Sequence, residues 1–286
     1  MMDRESTLTN FSSTYTEKQQ GCIQLLQITD THLFASDEGQ LLGVNTSKSF
    51  EAVIELAINN DHHADLMLMT GDISQDNSVE SYHRFAKQSQ ALGLPCHFVP
   101  GNHDENYMMH QALQGKQLFP QKHVIFDNWH IVMLDSTIEG KPAGRVEEDQ
   151  FEFVDQVIQS YPEKHLLVVM HHHPIPVGCR WLDQHWVQNG DEFLARVGAY
   201  SQVKGIVWGH VHQEVNEVYK GQHGNIPLLA TPSTCIQFTP KSNHFALDGL
   251  QPGYRLLQLQ SDGSIRTTVY RVKGERFSPE HEASGY

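Results

Sequence analysis

Five short blocks of metal-binding residue types punctuate the chain. They are Asp30-Thr31-His32, Gly71-Asp72, Gly101-Asn102-His103-Asp104, His171-His172-His173-Pro174 and Gly209-His210-Val211-His212. Carboxylates, imidazoles and one amide oxygen, with no thiolate, suit borderline-to-hard divalent ions such as Fe²⁺, Mn²⁺, Mg²⁺ or Zn²⁺. The i, i+2 spacing of Asp30 and His32 lets both side chains leave a strand end on one side, and His210 and His212 repeat it. Asp72 has two oxygens and no second carboxylate beside it, which suits a bridging role. Two ions about 3.5–4 Å apart that share one carboxylate can hold a hydroxide and clamp a phosphoryl group for in-line attack. No block is diagnostic alone, since Asp30 can cap a helix and Asn102 can sit in a turn. All five in order point to a two-metal hydrolase.

Something must bring these blocks together, and the hydrophobic pattern says what. Short apolar runs at 23–29, 66–70, 96–99, 131–134, 166–170 and 206–208 read as buried strands, and most end at one of the blocks. Between them, 46–60, 79–92 and 147–158 carry apolar residues at helical period. Strands alternating with helices predict an α/β layered fold with mixed sheets, its site at the C-terminal ends of the strands. After residue 212, paired runs at 215–219 with 227–230 and at 254–259 with 265–270 flank Gly-containing turns. These predict added antiparallel strands within 213–273. Residues 21–273 read as a single domain, residues 1–20 as a loose polar arm and 274–286 as a polar tail.

Composition narrows the partners. The 286 residues carry a formal net charge of −14 and no Lys/Arg cluster, so a nucleic-acid partner, which needs a basic stripe, is not expected. No apolar run of about 18 residues occurs, so no membrane partner is expected either. Residues 1–20 hold Asp3, Arg4, Glu5 and Lys18 with no apolar segment, so no export signal is expected. With four scattered cysteines read as reduced thiols, the expected compartment is the cytoplasm. The 19 histidines are many for this length, and ligation explains part of that excess. A monomer or a homodimer is compatible with the sequence.

The order D-x-H, G-D, G-N-H-D, H and G-H-x-H over residues 22–212 resembles the calcineurin-like metallophosphoesterases. Gln27–Phe34, Leu42–Thr46, His171–Pro174 with Trp181–His185, and Ala230–Phe238 narrow the resemblance to bacterial class III 3′,5′-cyclic-AMP phosphodiesterases. That resemblance implies a metallophosphoesterase sandwich with two divalent ions, Fe²⁺, Mn²⁺ or Mg²⁺. It implies Asp30, His32 and His212 on the first ion, Asn102, His171 and His210 on the second, and Asp72 between them. His171 is preferred among the three consecutive histidines because it directly follows a strand, with His172 the alternative. His103 is implied as the proton donor to the departing ribose oxygen. The superfamily often steadies that histidine with an Asp three residues after the Gly-Asp block; here Gln75 stands there with Asp76 next, which leaves its partner open.

Hydrolysis of cAMP to 5′-AMP, lowering intracellular cAMP, is therefore the expected activity. Its substrate phosphate would meet His32, Asp72, Asn102, His103, His171 and His212. The same donors would serve an enzyme for 2′,3′-cyclic nucleotides, other diesters or monoesters. A non-catalytic scaffold is disfavoured because every donor is present. Trp181 and Trp186, near the third histidine block, are candidates for stacking on adenine.

Overall fold

The computed structural model describes residues 12–16, 21–60, 63–115, 118–120, 122–280, 282 and 285. Among the described residues the strands follow in chain order: β1 Ser12–Thr14, β2 Cys22–Ile28, β3 Gln40–Leu41, β4 Val44–Asn45, β5 Leu66–Thr70, β6 Cys96–Val99, β7 Leu118–Phe119, β8 His123–Ile125 and β9 Trp129–Met133. The chain continues with β10 His165–Val169, β11 Val203–Trp208, β12 Val215–Gly221, β13 Gly224–Ala230, β14 Gln237–Phe238, β15 Leu247–Asp248, β16 Gly253–Gln260 and β17 Ile265–Arg271. The described α-helices are α1 Thr46–Asn60, α2 Val79–Ser89, α3 Asn106–Leu113, α4 Glu148–Ser160 and α5 Gly190–Val197.

Two sheets carry the fold. One runs β1-β8-β9-β10-β11-β13-β12, the other β17-β16-β2-β5-β6-β7. Within the first, β9, β10, β11 and β13 are parallel. Within the second, β2, β5 and β6 are parallel. Period-two alternation divides their side chains: Leu25, Leu66, Leu68, Leu167, Val169 and Val207 fill the space between the sheets. Leu26, Ile28, Met67 and Met69 turn outward to Phe50, Val53 and Phe85 of α1 and α2. Leu166 and Val168 turn outward to Phe151, Val154 and Phe193 of α4 and α5. Both faces of each parallel strand are thus covered, which is why these strands read as unbroken apolar runs. Each fully buried Leu, Val or Met contributes roughly 1.5–3 kcal/mol relative to exposure.

The strands after residue 212 are not an appendage. Hairpin β12–β13 completes the first sheet, with β13 parallel to β11. Hairpin β16–β17 completes the second, with β16 antiparallel to β2. The polar ends also differ from expectation. Residues 1–11 and 17–20 of the expected loose arm lie outside the described residues, but β1 pairs with β8 in parallel register. In the expected polar tail, Phe277 packs on the core and Glu280 N–H donates to the Leu42 carbonyl at 2.9 Å. Among the described residues no helix is long and apolar enough to cross a membrane.

Candidate metal centre

Every predicted donor sits just past a parallel strand: Asp30 and His32 after β2, Asp72 after β5, Asn102 and His103 after β6, His171 after β10, His210 and His212 after β11. The two sheets deliver these ends to one place. Loop pairing extends the alignment beyond the strands, since Asp30 N–H donates to the Gly71 carbonyl and His32 N–H to that of Asp72, each at 3.0 Å.

The turns that aim the side chains are unusual. Asp30, His32, Asp72, His210 and His212 all adopt positive φ, from 45° to 65°. A left-handed non-glycine residue is uncommon, and such backbone costs of order 1–3 kcal/mol. Five such residues in one cluster are held there by the sandwich around them. The glycines have a separate reason to be small. A Cβ on Gly209 would overlap the Thr29 hydroxyl and crowd the Thr70 carbonyl, and one on Gly71 would overlap the His171 ring.

Two groups of donors result. In one, His32 Nε2 and His212 Nε2 lie 3.2 Å apart, and His212 Nε2 is 3.5 Å from Asp30 Oδ1. In the other, His171 Nε2 lies 3.2 Å from both Asn102 Oδ1 and His210 Nδ1. Asp72 stands between them, its Oδ2 3.3 Å from His171 Nε2 and 3.8 Å from His32 Nε2. Its other oxygen accepts the His103 backbone N–H at 2.9 Å, and the Asp30 carboxylate accepts that of His210 at 3.1 Å. Except for Asn102 and His103, which are half-buried, these residues are buried, so the cluster meets solvent from the Asn102–His103 side.

The ring tautomers test whether cations fit here. His171 Nδ1 faces the Thr70 carbonyl at 2.7 Å and His212 Nδ1 the Ile236 carbonyl at 2.9 Å. A carbonyl only accepts, so both rings carry their proton on Nδ1 and turn a lone pair on Nε2 inward. His32 Nδ1 meets Gln75 Oε1 at 2.6 Å, which leaves its Nε2 lone pair inward as well. Lone pairs and carboxylate oxygens converging in a buried space repel unless positive charge lies among them, and ligating histidines are oriented by such outer partners. The donor set fits two divalent ions.

The electrostatics agree. Burial opposes charge on His171, yet the Asp72 carboxylate outweighs it and pushes the ring up to about 9. A proton there takes the charge-balancing place that a cation would fill. Burial also works against ionised Asp72, but the His171 and His103 rings hold its carboxyl well below the ordinary range. His32 is driven down to about 3, chiefly by burial.

Several residues serve the cluster without a signal strong enough to single them out in the sequence. Asp104 accepts the backbone N–H groups of Ile73, Ser74 and Gly101 at 2.9–3.2 Å, stapling the loop after β5 to that after β6. Burial and the Asp72 charge push its carboxyl up to about 7. Only its place in the Gly101–Asp104 block hinted at this. Gln27, beneath the cluster, donates to Thr70 Oγ1 and the Trp208 carbonyl and accepts from Thr231, tying the two sheets together. The two positions where the sequence pattern points to an acid partner for His103, occupied by Gln75 and Asp76, bond to other residues. Gln75 serves His32, and Asp76 accepts from the backbone N–H groups of Ala35 and Ser78.

His172 lies beside the second group, its Nδ1 2.9 Å from Ser136 Oγ and its ring centroid 4.8 Å from that of His210. His173 stacks on His210 at 5.4 Å with Asp183 3.7 Å away. Trp181 packs edge-on against Phe238 and Phe245, and Phe238 in turn stacks on His212 at 4.2 Å. It buttresses a donor from behind.

A parallel-stranded sandwich with paired His/Asp clusters at its strand ends defines a dimetal phosphoesterase architecture. The calcineurin-like phosphoesterase family matches residues 23–214, and the chain belongs to it. That family uses a dinuclear metal site, which the His/Asp clusters fit. Relatives extend the match across nearly the whole chain. The 3′,5′-cyclic adenosine monophosphate phosphodiesterase CpdA of Vibrio vulnificus (strain CMCP6) is 46% identical over 265 residues, covering 92% of this chain and 95% of the relative. Its namesake from Escherichia coli (strain K12) is 43% identical with the same coverage. Among solved structures, a purple acid phosphatase from yellow lupin aligns with TM-score 0.63 at 14% identity, covering 93% of this chain and 54% of that one. A dimetal phosphatase from Danio rerio aligns with TM-score 0.57 at 13% identity, covering 88% and 99%. These two likenesses establish the shared fold.

Proposed function

We propose that this chain hydrolyses 3′,5′-cyclic AMP to 5′-AMP. The carrying observation is the placement of Asp72 Oδ2 between two inward-facing imidazole groups, in a chain 42–46% identical to curated cAMP phosphodiesterases. In this reading Asp30, His32 and His212 would hold one divalent ion, Asn102, His171 and His210 the other, and Asp72 would serve both. Nitrogen and oxygen donors suit Fe²⁺, Mn²⁺ or Mg²⁺. When bound, the ions supply a water of lowered pKa and neutralise charge on the phosphoryl oxygens.

The chain's own groups do the rest. The cyclic phosphate docks from the Asn102–His103 side against His32, Asp72, Asn102, His103, His171 and His212. The oxygen of a water that has lost one proton to solvent forms the new bond to phosphorus while the P–O3′ bond breaks. His103 is half-buried at the mouth with its ring 5.0 Å from that of His32, and it gives its proton to the departing O3′. The His103 backbone N–H donates to Asp72, which holds the residue's main chain beside that carboxylate. The product is 5′-AMP, and in the cytoplasm the activity lowers cAMP.

The test is hydrolysis by metal-stripped protein after addition of Fe²⁺, Mn²⁺ or Mg²⁺, offering cAMP beside 2′,3′-cAMP and bis-p-nitrophenyl phosphate. Ion-dependent release of 5′-AMP, preferred over the other two, supports the proposal. Preferred cleavage of the generic diester keeps the two-ion site and discards cAMP as its substrate.

A further inference from the structure

We infer that Gln75 is a positioning residue that decides whether His32 can accept an ion, by choosing its tautomer. The inference rests on the two-ion reading. His171 and His212 have their Nδ1 protons committed to main-chain carbonyls, which cannot turn round. His32 alone of these three depends on a side chain, and that side chain has two chemically opposite ends.

With Oε1 toward the ring, Gln75 accepts from Nδ1–H at 2.6 Å, and the His32 Nε2 lone pair faces Asp72 and His212. With the amide turned by half, its NH₂ donates to Nδ1 and the ring proton moves to Nε2. That N–H then points at His212 Nε2, 3.2 Å away, and makes a hydrogen bond where two lone pairs had met. The ring can no longer ligate. Gln75 is free to make this turn. Its backbone is tied by a 2.8 Å bond to the Leu33 carbonyl, but its side chain is half-buried and no described residue holds the amide nitrogen. The two orientations are an ion-accepting and an ion-free state of the same site, and loading the first position requires the first of them.

Gln75→Glu keeps the length and leaves only acceptors, so the rejecting state is removed. Gln75→Leu can neither accept nor donate. Titration of ion-free protein with Mn²⁺ is expected to show one of two equivalents tightened in Q75E. The same equivalent should weaken in Q75L by about 10–100-fold, the usual cost of losing an outer-shell partner, with the other equivalent unmoved. Nitrogen NMR of the His32 ring in ion-free protein is expected to find the proton shared with Nε2 in the wild type and confined to Nδ1 in Q75E. An Nδ1 proton already complete in the wild type overturns the inference, and so does an equal weakening of both equivalents in Q75L. Fewer than two ions on the wild type defeats the two-ion reading itself, while the tautomer measurement on ion-free protein still decides the part of Gln75.

Discussion

His32 Nε2 and His212 Nε2 lie 3.2 Å apart in a buried space, each ring having its Nδ1 engaged elsewhere. Neither nitrogen has a proton to offer the other in this arrangement. With Gln75 Oε1 on the His32 ring the two lone pairs meet, so this arrangement is the one that a cation between the rings favours.

Ion removal is therefore expected to destabilise the protein. Adding Mn²⁺ to chelator-treated protein at about 100 times its Kd should stabilise it by about 2.7 kcal/mol per site, from mass action alone. Thermal unfolding with and without ions checks this, and an unchanged Tm counts against ions in the cluster.

Asp72→Ala removes the group common to both donor sets. Two-ion stoichiometry should be lost, and kcat/KM for cAMP should fall by more than about 100-fold, the upper end for losing a mere outer-shell partner. Metal analysis after gel filtration, with an assay of the same sample, reads both. A variant retaining two ions would show that Asp72 does not join them.

His103→Ala is expected to separate chemistry from ion binding. A positioned proton donor is worth roughly 10²–10⁴ in rate, so kcat should fall by that factor while two ions stay bound. Full turnover in the variant would remove His103 from the mechanism.

Trp181→Ala tests the stacking idea against the packing. The ring touches Phe238 and Phe245, and Phe238 lies on His212. The variant should lose about 2–4 kcal/mol of stability from the cavity left behind. KM for cAMP should move less than about threefold. A large rise in KM with unchanged stability would restore the ring to the substrate.

Far from the cluster, His123 and His130 face each other beside Tyr161, their rings driven down to about 4 and about 3, chiefly by burial. The unfolded chain protonates both near pH 6.5 while the folded chain resists until much lower. Their contribution is fully present above pH 6.5 and is lost as pH falls toward 3–4. Together they should cost several kcal/mol over that window, at about 1.4 kcal/mol for each pH unit of depression. Denaturant unfolding at stepped pH should show the decline, and His130→Phe should flatten it relative to wild type. Parallel profiles would assign the decline elsewhere.

Much of the fold was legible because its strands are buried on both faces. Leu66–Thr70 and Cys96–Val99 were expected with the bounds observed, as was the helix Thr46–Asn60. Unbroken apolar runs closed by Gly or Pro leave little choice there. Helices Asn106–Leu113 and Gly190–Val197 were not anticipated, nor was β1. Each is too short to show a period and is held by tertiary contact; α3, for instance, buries Met109, Ala112 and Leu113 against the outer face of the second sheet. The hairpins after residue 212 were seen as strands, but their division between two sheets depends on partners far away in the chain.

At the centre the division is the same. Residue types and their order determined which donors exist and that two divalent ions are the chemistry they suit, because hardness and charge belong to single side chains. Only the tertiary structure decided that Asp72 Oδ2 lies between the two imidazole groups, that Gln75 faces His32 and that Asp76 accepts from Ala35 and Ser78. A lone pair's direction is set by the hydrogen bond on the far side of its ring. Of those partners, Thr70 reaches His171 from the other sheet, while Gln75 and Ile236 reach His32 and His212 from the segments after neighbouring strands. All three come from chain segments far away in sequence, which no local pattern encodes.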